Sequence, residues 1–245
     1  MLCVLVGMLV AGAAVFLLKK RREADMEHLL YMLLFSLFAI ILGGSLLYGL
    51  TNIRAMLALF RVAQKMTAGE FLSHLLALFG GSVYYGGLLA MLLTIYLYRR
   101  KKGLGRGYND LFAVVIPLFH AFGRIGCFLG GCCYGMECSF GFTYRYAIVE
   151  AANGVSRLPV QLFEAVFNFA LFIVLCNFFR KRKYEGWLLH IYLYAYPIFR
   201  FVNEFFRGDA YRGIWWGLST SQWISLMILI GNTIVILRRK KKEAG

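Results

Sequence analysis

Residues 119–135 read FHAFGRIGCFLGGCCYG, within a strongly apolar chain. His120 and Arg124 are four residues apart, the spacing of one helix face. Arginine is costly in lipid and is kept where it faces protein or a polar cavity with a partner. Five glycines, Gly123, Gly126, Gly130, Gly131 and Gly135, remove bulk and let a backbone or ligand approach closely. Arg124 is read as pointing into such a cavity. Arg200, Glu204 and Arg207 fall at i, i+4 and i+7. Two positive charges on one negative leave a surplus that an anionic ligand would absorb. The blander alternatives are that Glu204 simply neutralises the two arginines and that Arg124 pairs with Glu164 or Glu204. His120 alone could be a packed, hydrogen-bonded histidine. Gln161, Glu164, Tyr84 and Tyr85 complete the polar set.

Four of the six cysteines lie at Cys127, Cys132, Cys133 and Cys138. Their spacing lacks a CxxC knuckle and no histidine cluster joins them. The expectation is a disulfide or plain packing, with no metal.

These residues must be positioned by membrane helices. Of 245 residues, 60% are hydrophobic and 17% aromatic, too apolar for a soluble domain. The net charge of +15 does not point to nucleic acid, because the basic residues form short clusters between apolar runs, where they set topology and meet anionic lipid. Seven runs are expected to span: Met1–Leu18, His28–Leu50, Gly80–Tyr98, Asp110–Leu129, Pro159–Phe179, Trp187–Phe206 and Ser221–Leu237. Basic clusters follow runs one, three, five and seven, at Lys19–Arg22, Arg99–Lys102, Arg180–Lys183 and Arg238–Lys242. With seven spans all four share one side, which the positive-inside rule makes cytoplasmic, with the N-terminus outside and the C-terminus inside. The first run is not read as a signal peptide, since its charges follow the apolar stretch. Residues 51–79 are mixed and amphipathic and are expected as an interfacial arm on the outer surface. Residues 139–158 and 207–220 are expected as extracytoplasmic loops. The expectation is an all-α integral membrane protein, one transmembrane domain over residues 1–245, with seven transmembrane helices and an amphipathic outer segment between spans two and three.

Three stretches, in this order, resemble the prolipoprotein diacylglyceryl transferase family. They are Gly123-Arg124-Ile125-Gly126-Cys127-Phe128 through to Gly135, Pro159–Glu164 within LPVQLFEA, and Arg200–Arg207 followed by Asp209. The family's Gly-Gly pair is matched by Gly86-Gly87, and order and spacing agree over nearly the whole chain. The resemblance implies transfer of diacylglyceryl from phosphatidylglycerol to the lipobox cysteine thiol of a preprolipoprotein, with glycerol-1-phosphate leaving. It implies no cofactor or metal, binding of preprolipoprotein signal peptides, and residence in the bacterial cytoplasmic membrane. On the matching positions it implies a phosphate clamp of Arg124 and Arg200. Proton removal falls to His120 or Tyr85, and Gln161, Glu164, Glu204, Arg207, Gly86 and Gly87 help to bind substrate. Because an unperturbed tyrosine titrates near about 10 and histidine nearer neutrality, His120 is the preferred base.

Four positions depart from the family's pattern. Tyr85 stands where members commonly have histidine, Cys127 where asparagine is usual, and Cys132 where a glutamate falls. The stretch Gly43-Gly44-Ser45-Leu46 lacks an arginine often found there. The competing expectations are a non-catalytic or transporter-like membrane protein that binds anionic lipid in the same cavity, and a related transferase with another acceptor.

Overall fold

The computed structural model describes residues 2–19, 24–81, 83–209 and 213–244. Of the expected cluster Lys19–Arg22, the part beyond Lys19 lies outside the described residues, as do residues 210–212 of the expected loop 207–220. In chain order the helices are α1 (Leu2–Lys19), α2 (Met26–Thr51), α3 (Ile53–Val62), α4 (Ala68–Leu78), α5 (Tyr84–Lys102), α6 (Gly107–Gly130), α7 (Val160–Arg180), α8 (Leu188–Asn203) and α9 (Thr220–Ala244). Among the described residues four short strands accompany them: β1 (Glu137–Thr143), β2 (Ser156–Arg157), β3 (Ile214–Trp215) and β4 (Leu218–Ser219).

Long helices follow from the apolar runs, because lipid offers no partner to a free backbone group. Among the described residues, five helices are long and apolar enough to cross a membrane: α1, α2, α6, α7 and α9. The chain is thus an all-α, multi-pass membrane protein. The sequence pattern expects seven spans, and the remaining two candidates are α5, whose 19 residues end in a basic run, and the shorter α8. The last four residues of α5 are Arg99–Lys102. Helix α8 has 16 residues, about 24 Å at 1.5 Å per residue, against a hydrocarbon core of roughly 30 Å.

The chain packs as two compact units. One comprises residues 1–24 and 106–245. In it α6 packs against α1, α7 and α8, and α8 packs against α9. Of the five candidate spans α6 is the most enclosed, with 61% of its apolar window buried against 17–33% for the others. Its polar residues therefore face protein. At its N-terminal end the buried Asp110 accepts from the amides of Gly186 (2.5 Å) and Leu188 (3.1 Å), which satisfies donors that the start of α8 leaves open.

The expected loops 139–158 and 207–220 are more ordered than plain loops. β1 pairs antiparallel with β2, and β3 with β4. The turn between β3 and β4 is Trp216-Gly217, with φ of 49° and 78°, the left-handed pair that a two-residue hairpin needs. A backbone seam then joins three segments. Gly135 N donates to Leu158 O, Met136 N to Phe206 O, Leu158 N to Met136 O and Gly208 N to Tyr134 O. The end of the glycine-rich stretch is thereby tied to the start of α7 and the end of α8.

The second unit is residues 25–105. Here α2 and α5 run antiparallel, with Gly43 against Gly86, Ile40 against Gly87 and His28 against Tyr98. The 51–79 arm is helical in α3 and α4, joined by an edge-on contact of Phe60 and Phe71 at 5.5 Å. Leu57, Phe60, Leu72 and Leu76 of this arm are exposed. Helix α4 starts in a capping box in which Thr67 and Glu70 satisfy each other's backbone amides.

Candidate active site

Glu164 lies at the centre of a buried charge cluster. It enters from the first turns of α7, whose start is pinned by the Gly135–Leu158 seam. Its Oε2 is 3.1 Å from Arg124 Nε and 3.6 Å from Arg200 Nη1, and its Oε1 is 3.5 Å from His120 Nε2. Tyr196 Oη donates to the same carboxylate at 2.8 Å, and its ring stands edge-on to His120 with centroids 4.8 Å apart. Arg124 Nε also donates to His120 Nε2, at 3.1 Å. A histidine nitrogen that accepts is unprotonated, so this contact describes a neutral imidazole. Glu164, His120, Arg124 and Arg200 are all buried, at 2–7% exposure.

The cluster continues along α8. Arg200 Nη2 is 2.6 Å from Glu204 Oε2 and donates to Ser221 Oγ of α9 at 3.3 Å. Helix α8 does not run on to Arg207. Glu204–Phe206 tighten into a 3-10 turn, which leaves Arg207 3.9 Å from Glu204 and bidentate on Asp209, through Nε at 2.8 Å and through Nη2. Burial works against the charged guanidinium, yet Asp209 holds the Arg207 pKa above its ordinary value. The surplus positive charge expected from Arg200, Glu204 and Arg207 is therefore not present. Arg124, Arg200 and Arg207 face Glu164, Glu204 and Asp209, three charges against three.

Gln161 lies one turn before Glu164. Its Nε2 donates to the carbonyl of Cys132 at 2.8 Å and to Tyr144 Oη at 3.3 Å, tying the segment between α6 and α7 to the start of α7. Burial pushes the Tyr144 hydroxyl up to about 12. Tyr85, Gly86 and Gly87 belong to the other compact unit. Tyr85 is buried there, with its ring 6.1 Å from that of Tyr84.

All six cysteines are free thiols. The sulfurs of Cys127, Cys132 and Cys133 nonetheless lie within 4.8 Å of one another, while Cys138 is not in the group. Helix α6 ends at Gly131, whose φ of 66° suits a residue without Cβ. The Cys132 amide then donates back to Cys127 O, so the chain reverses and returns two thiols to the third. Hydrogen bonds from Cys127 and Cys132, helped by Arg207 and Arg124, hold the Cys133 thiol well below its usual range.

The sequence pattern groups Arg124, Glu164, Arg200 and Tyr85, with His120 on the face of Arg124; the structure gathers His120, Arg124, Glu164 and Arg200, while Tyr85 belongs to the other unit. The pattern misses Tyr196 and Ser221. Tyr196 is four residues before Arg200 and so on the same face, a spacing that could have found it. Ser221 follows a loop and carries no spacing signal.

The sequence profile of the family described as prolipoprotein diacylglyceryl transferase matches residues 1–238. A phosphatidylglycerol–prolipoprotein diacylglyceryl transferase of Clostridium tetani is 33% identical over 237 residues, covering 94% of this chain and 90% of that protein. The second such transferase of Clostridium perfringens is 34% identical over 250 residues, covering 98% and 92%. A namesake from Cupriavidus pinatubonensis is 33% identical over 224 residues, covering 87% and 75%.

Proposed function

The chain belongs to the prolipoprotein diacylglyceryl transferase family, and from that premise we infer that it transfers the diacylglyceryl group of phosphatidylglycerol to prolipoprotein. In that reaction the thiolate sulfur of the acceptor cysteine attacks the glycerol carbon that bears the phosphate. A carbon–sulfur bond forms, the carbon–oxygen bond breaks, glycerol-1-phosphate leaves and the thiol proton passes to a base. The acceptor is the lipobox cysteine of the signal peptide, and the setting is the bacterial cytoplasmic membrane. A non-catalytic lipid-binding role is not favoured, because the relatives are transferases by name.

The observation that carries the site assignment is Glu164 shared between Arg124 and Arg200 deep in the bundle. Since charges there balance, the clamp acts through directed N–H donors more than through net charge. A phosphodiester that draws both guanidiniums onto it meets groups braced by Glu164, Glu204 and Ser221, and once it is bound the charge growing on the departing phosphate is stabilised without further reorganisation. Lipid binding that turns Arg124 toward phosphate would release His120 Nε2 to accept the thiol proton, with Tyr85 orienting the headgroup or thiol. The test is transfer of labelled diacylglyceryl to a lipobox peptide in vesicles. Arg124→Lys keeps charge but loses the planar fork, and the rate is expected to fall roughly a hundredfold or more. Near-normal rates in both Arg124→Ala and Arg200→Ala would remove the clamp. A harmless His120→Ala beside an inactive Tyr85→Phe moves the base to Tyr85.

The same reading makes α5 and α8 the two further spans, for seven in all. The N-terminus is then outside, and residues 51–79 lie on the outer surface. The support is that Arg99–Lys102, Arg180–Lys183 and Arg238–Lys242 then share the cytoplasmic side with the N-terminal cluster. Cysteines introduced at Lys101 and Lys240 should be shielded from an impermeant thiol reagent in intact cells. Labelling of either from outside overturns the topology.

A further inference from the structure

Three thiols drawn into one place are poorly accounted for by packing. A thiol is a weak donor and a weak acceptor, so hydrogen bonds among three of them are a poor reason to gather them. Yet the local fold goes to some length to gather them. The helix stops at Gly131 in the left-handed region. A Cβ there would run into Ala147. Cys133 takes a φ of 57°, a conformation that non-glycine residues rarely adopt. Gln161, 1% exposed, holds the Cys132 carbonyl at 2.8 Å and so fixes the loop from α7. Residues from the helix end, the loop and a neighbouring helix thus converge on one arrangement.

The distances favour a particular guest. Zinc bonded to thiolates at about 2.3 Å in tetrahedral geometry sets its sulfurs about 3.8 Å apart. The three sulfurs already lie within 4.8 Å, so closure needs roughly an ångström of side-chain movement. A disulfide needs about 2.05 Å between two sulfurs and strands the third. CxxC spacing is absent because the left-handed glycine turn, not a knuckle, performs the reversal.

We propose that Cys127, Cys132 and Cys133 form a three-thiolate site for zinc(II), with the fourth tetrahedral position open. Binding forms three zinc–sulfur bonds and releases to solvent whatever protons those sulfurs carry. No oxidant or reductant takes part. The site lies beside the charge cluster, since Cys127 is one helical turn from Arg124. It does not depend on the transferase reading, because its readout is metal content.

The experiment uses the full chain in detergent, reduced with a phosphine, stripped with chelator, reloaded with zinc and desalted. One zinc per chain is expected. Cys127→Ser, Cys132→Ser and Cys133→Ser should each lower zinc affinity about tenfold or more, at least the loss that follows from disturbing an outer-shell partner. Cys138→Ser and Cys176→Ser should leave it unchanged. Arg200→Ala, expected to be transfer-dead, should still bind zinc, so a failure of the transferase reading and a failure of this one are told apart. Should a serine variant not fold, alkylation of the unmutated protein serves instead: zinc should shield Cys127, Cys132 and Cys133 together and leave Cys138 reactive. No retained zinc, unchanged affinity in the three variants, or shielding of fewer than three of these thiols overturns the proposal.

Discussion

In the unit formed by residues 1–24 and 106–245, the most enclosed helix carries Asp110, His120 and Arg124 on its buried face, and helices α6, α7 and α8 meet around Glu164. In the unit formed by residues 25–105, α2 and α5 meet over Gly43, Gly86 and Gly87, and among the described residues of this unit no charged side chain is buried. The first arrangement fixes helices by pairing charges whose alternatives are expensive. The second fixes them by backbone approach, which any side chain would spoil. Buried pairs give little net stability over apolar packing but punish the loss of one partner. They suit a place where a charged substrate must be met by groups already aimed. Glycine contacts carry no such chemistry and need none.

The largest expected effect comes from breaking the charge pairing. Glu164→Leu fits the space but leaves Arg124 and Arg200 without their shared carboxylate, and it strands the Tyr196 hydroxyl. Removing one partner of a buried pair costs about 3–5 kcal/mol. Thermal unfolding in detergent should show this, with transfer abolished. Glu164→Gln, which keeps the shape and one acceptor, should unfold between the two. If Glu164→Leu were as stable as the parent protein, the cluster would not be what holds the three helices in place.

The two units were also unequally legible in the sequence. Arg124, Glu164 and Arg200 could be brought together because ionisable residues in apolar runs announce themselves and helix ends fix their depth. Tyr196 gave only a helical spacing, and Asp110 gave nothing, since its partners are the amides of Gly186 and Leu188, far along the chain. Arg207 was placed on the face of Arg200 by regular periodicity, but the 3-10 turn at Glu204–Phe206 redirects it to Asp209, a change that no pattern of residue types reports. The cysteines offer neither CxxC spacing nor a histidine cluster, and the left-handed turn at Gly131 that gathers three of them is invisible to a motif. In the second unit the glycines were noticed as a family pair. Their contact with Gly43 needed the structure, because antiparallel register between α2 and α5 depends on the intervening arm.

A smaller effect probes the glycine contact. A Cβ at Gly86 would lie 2.6 Å from Leu47 Cβ and closer still to the Gly43 carbonyl, so Gly86→Val must push α2 and α5 apart. Overpacking of this kind costs about 1–3 kcal/mol, read as a lower unfolding temperature. Gly69→Ala in the same unit has nothing within 4 Å of the new Cβ and should be neutral or slightly stabilising. Equal behaviour of the two variants would show that close approach is not what joins these helices.

The smallest expected effect lies at the start of α4. Thr67 accepts from the Glu70 amide at 3.3 Å, and Glu70 Oε2 accepts from the Thr67 amide and hydroxyl, each at 2.9 Å. Those hydrogen bonds, the backbone one first, hold the Glu70 carboxyl below its ordinary value. A carboxylate with a depressed folded-state pKa contributes stability above its unfolded value, and that contribution is lost as pH falls through the folded value. Protection of the first amides of α4 from hydrogen exchange should therefore be full near neutrality and decline only in acid. Thr67→Ala removes the cap at about 1 kcal/mol and should lower that protection at neutral pH while leaving α2 and α5 unchanged. The acid-dependent step should also shrink in this variant, because the carboxylate has lost its hydroxyl partner. An undiminished acid step would mean that Glu70 is held by something other than the capping box.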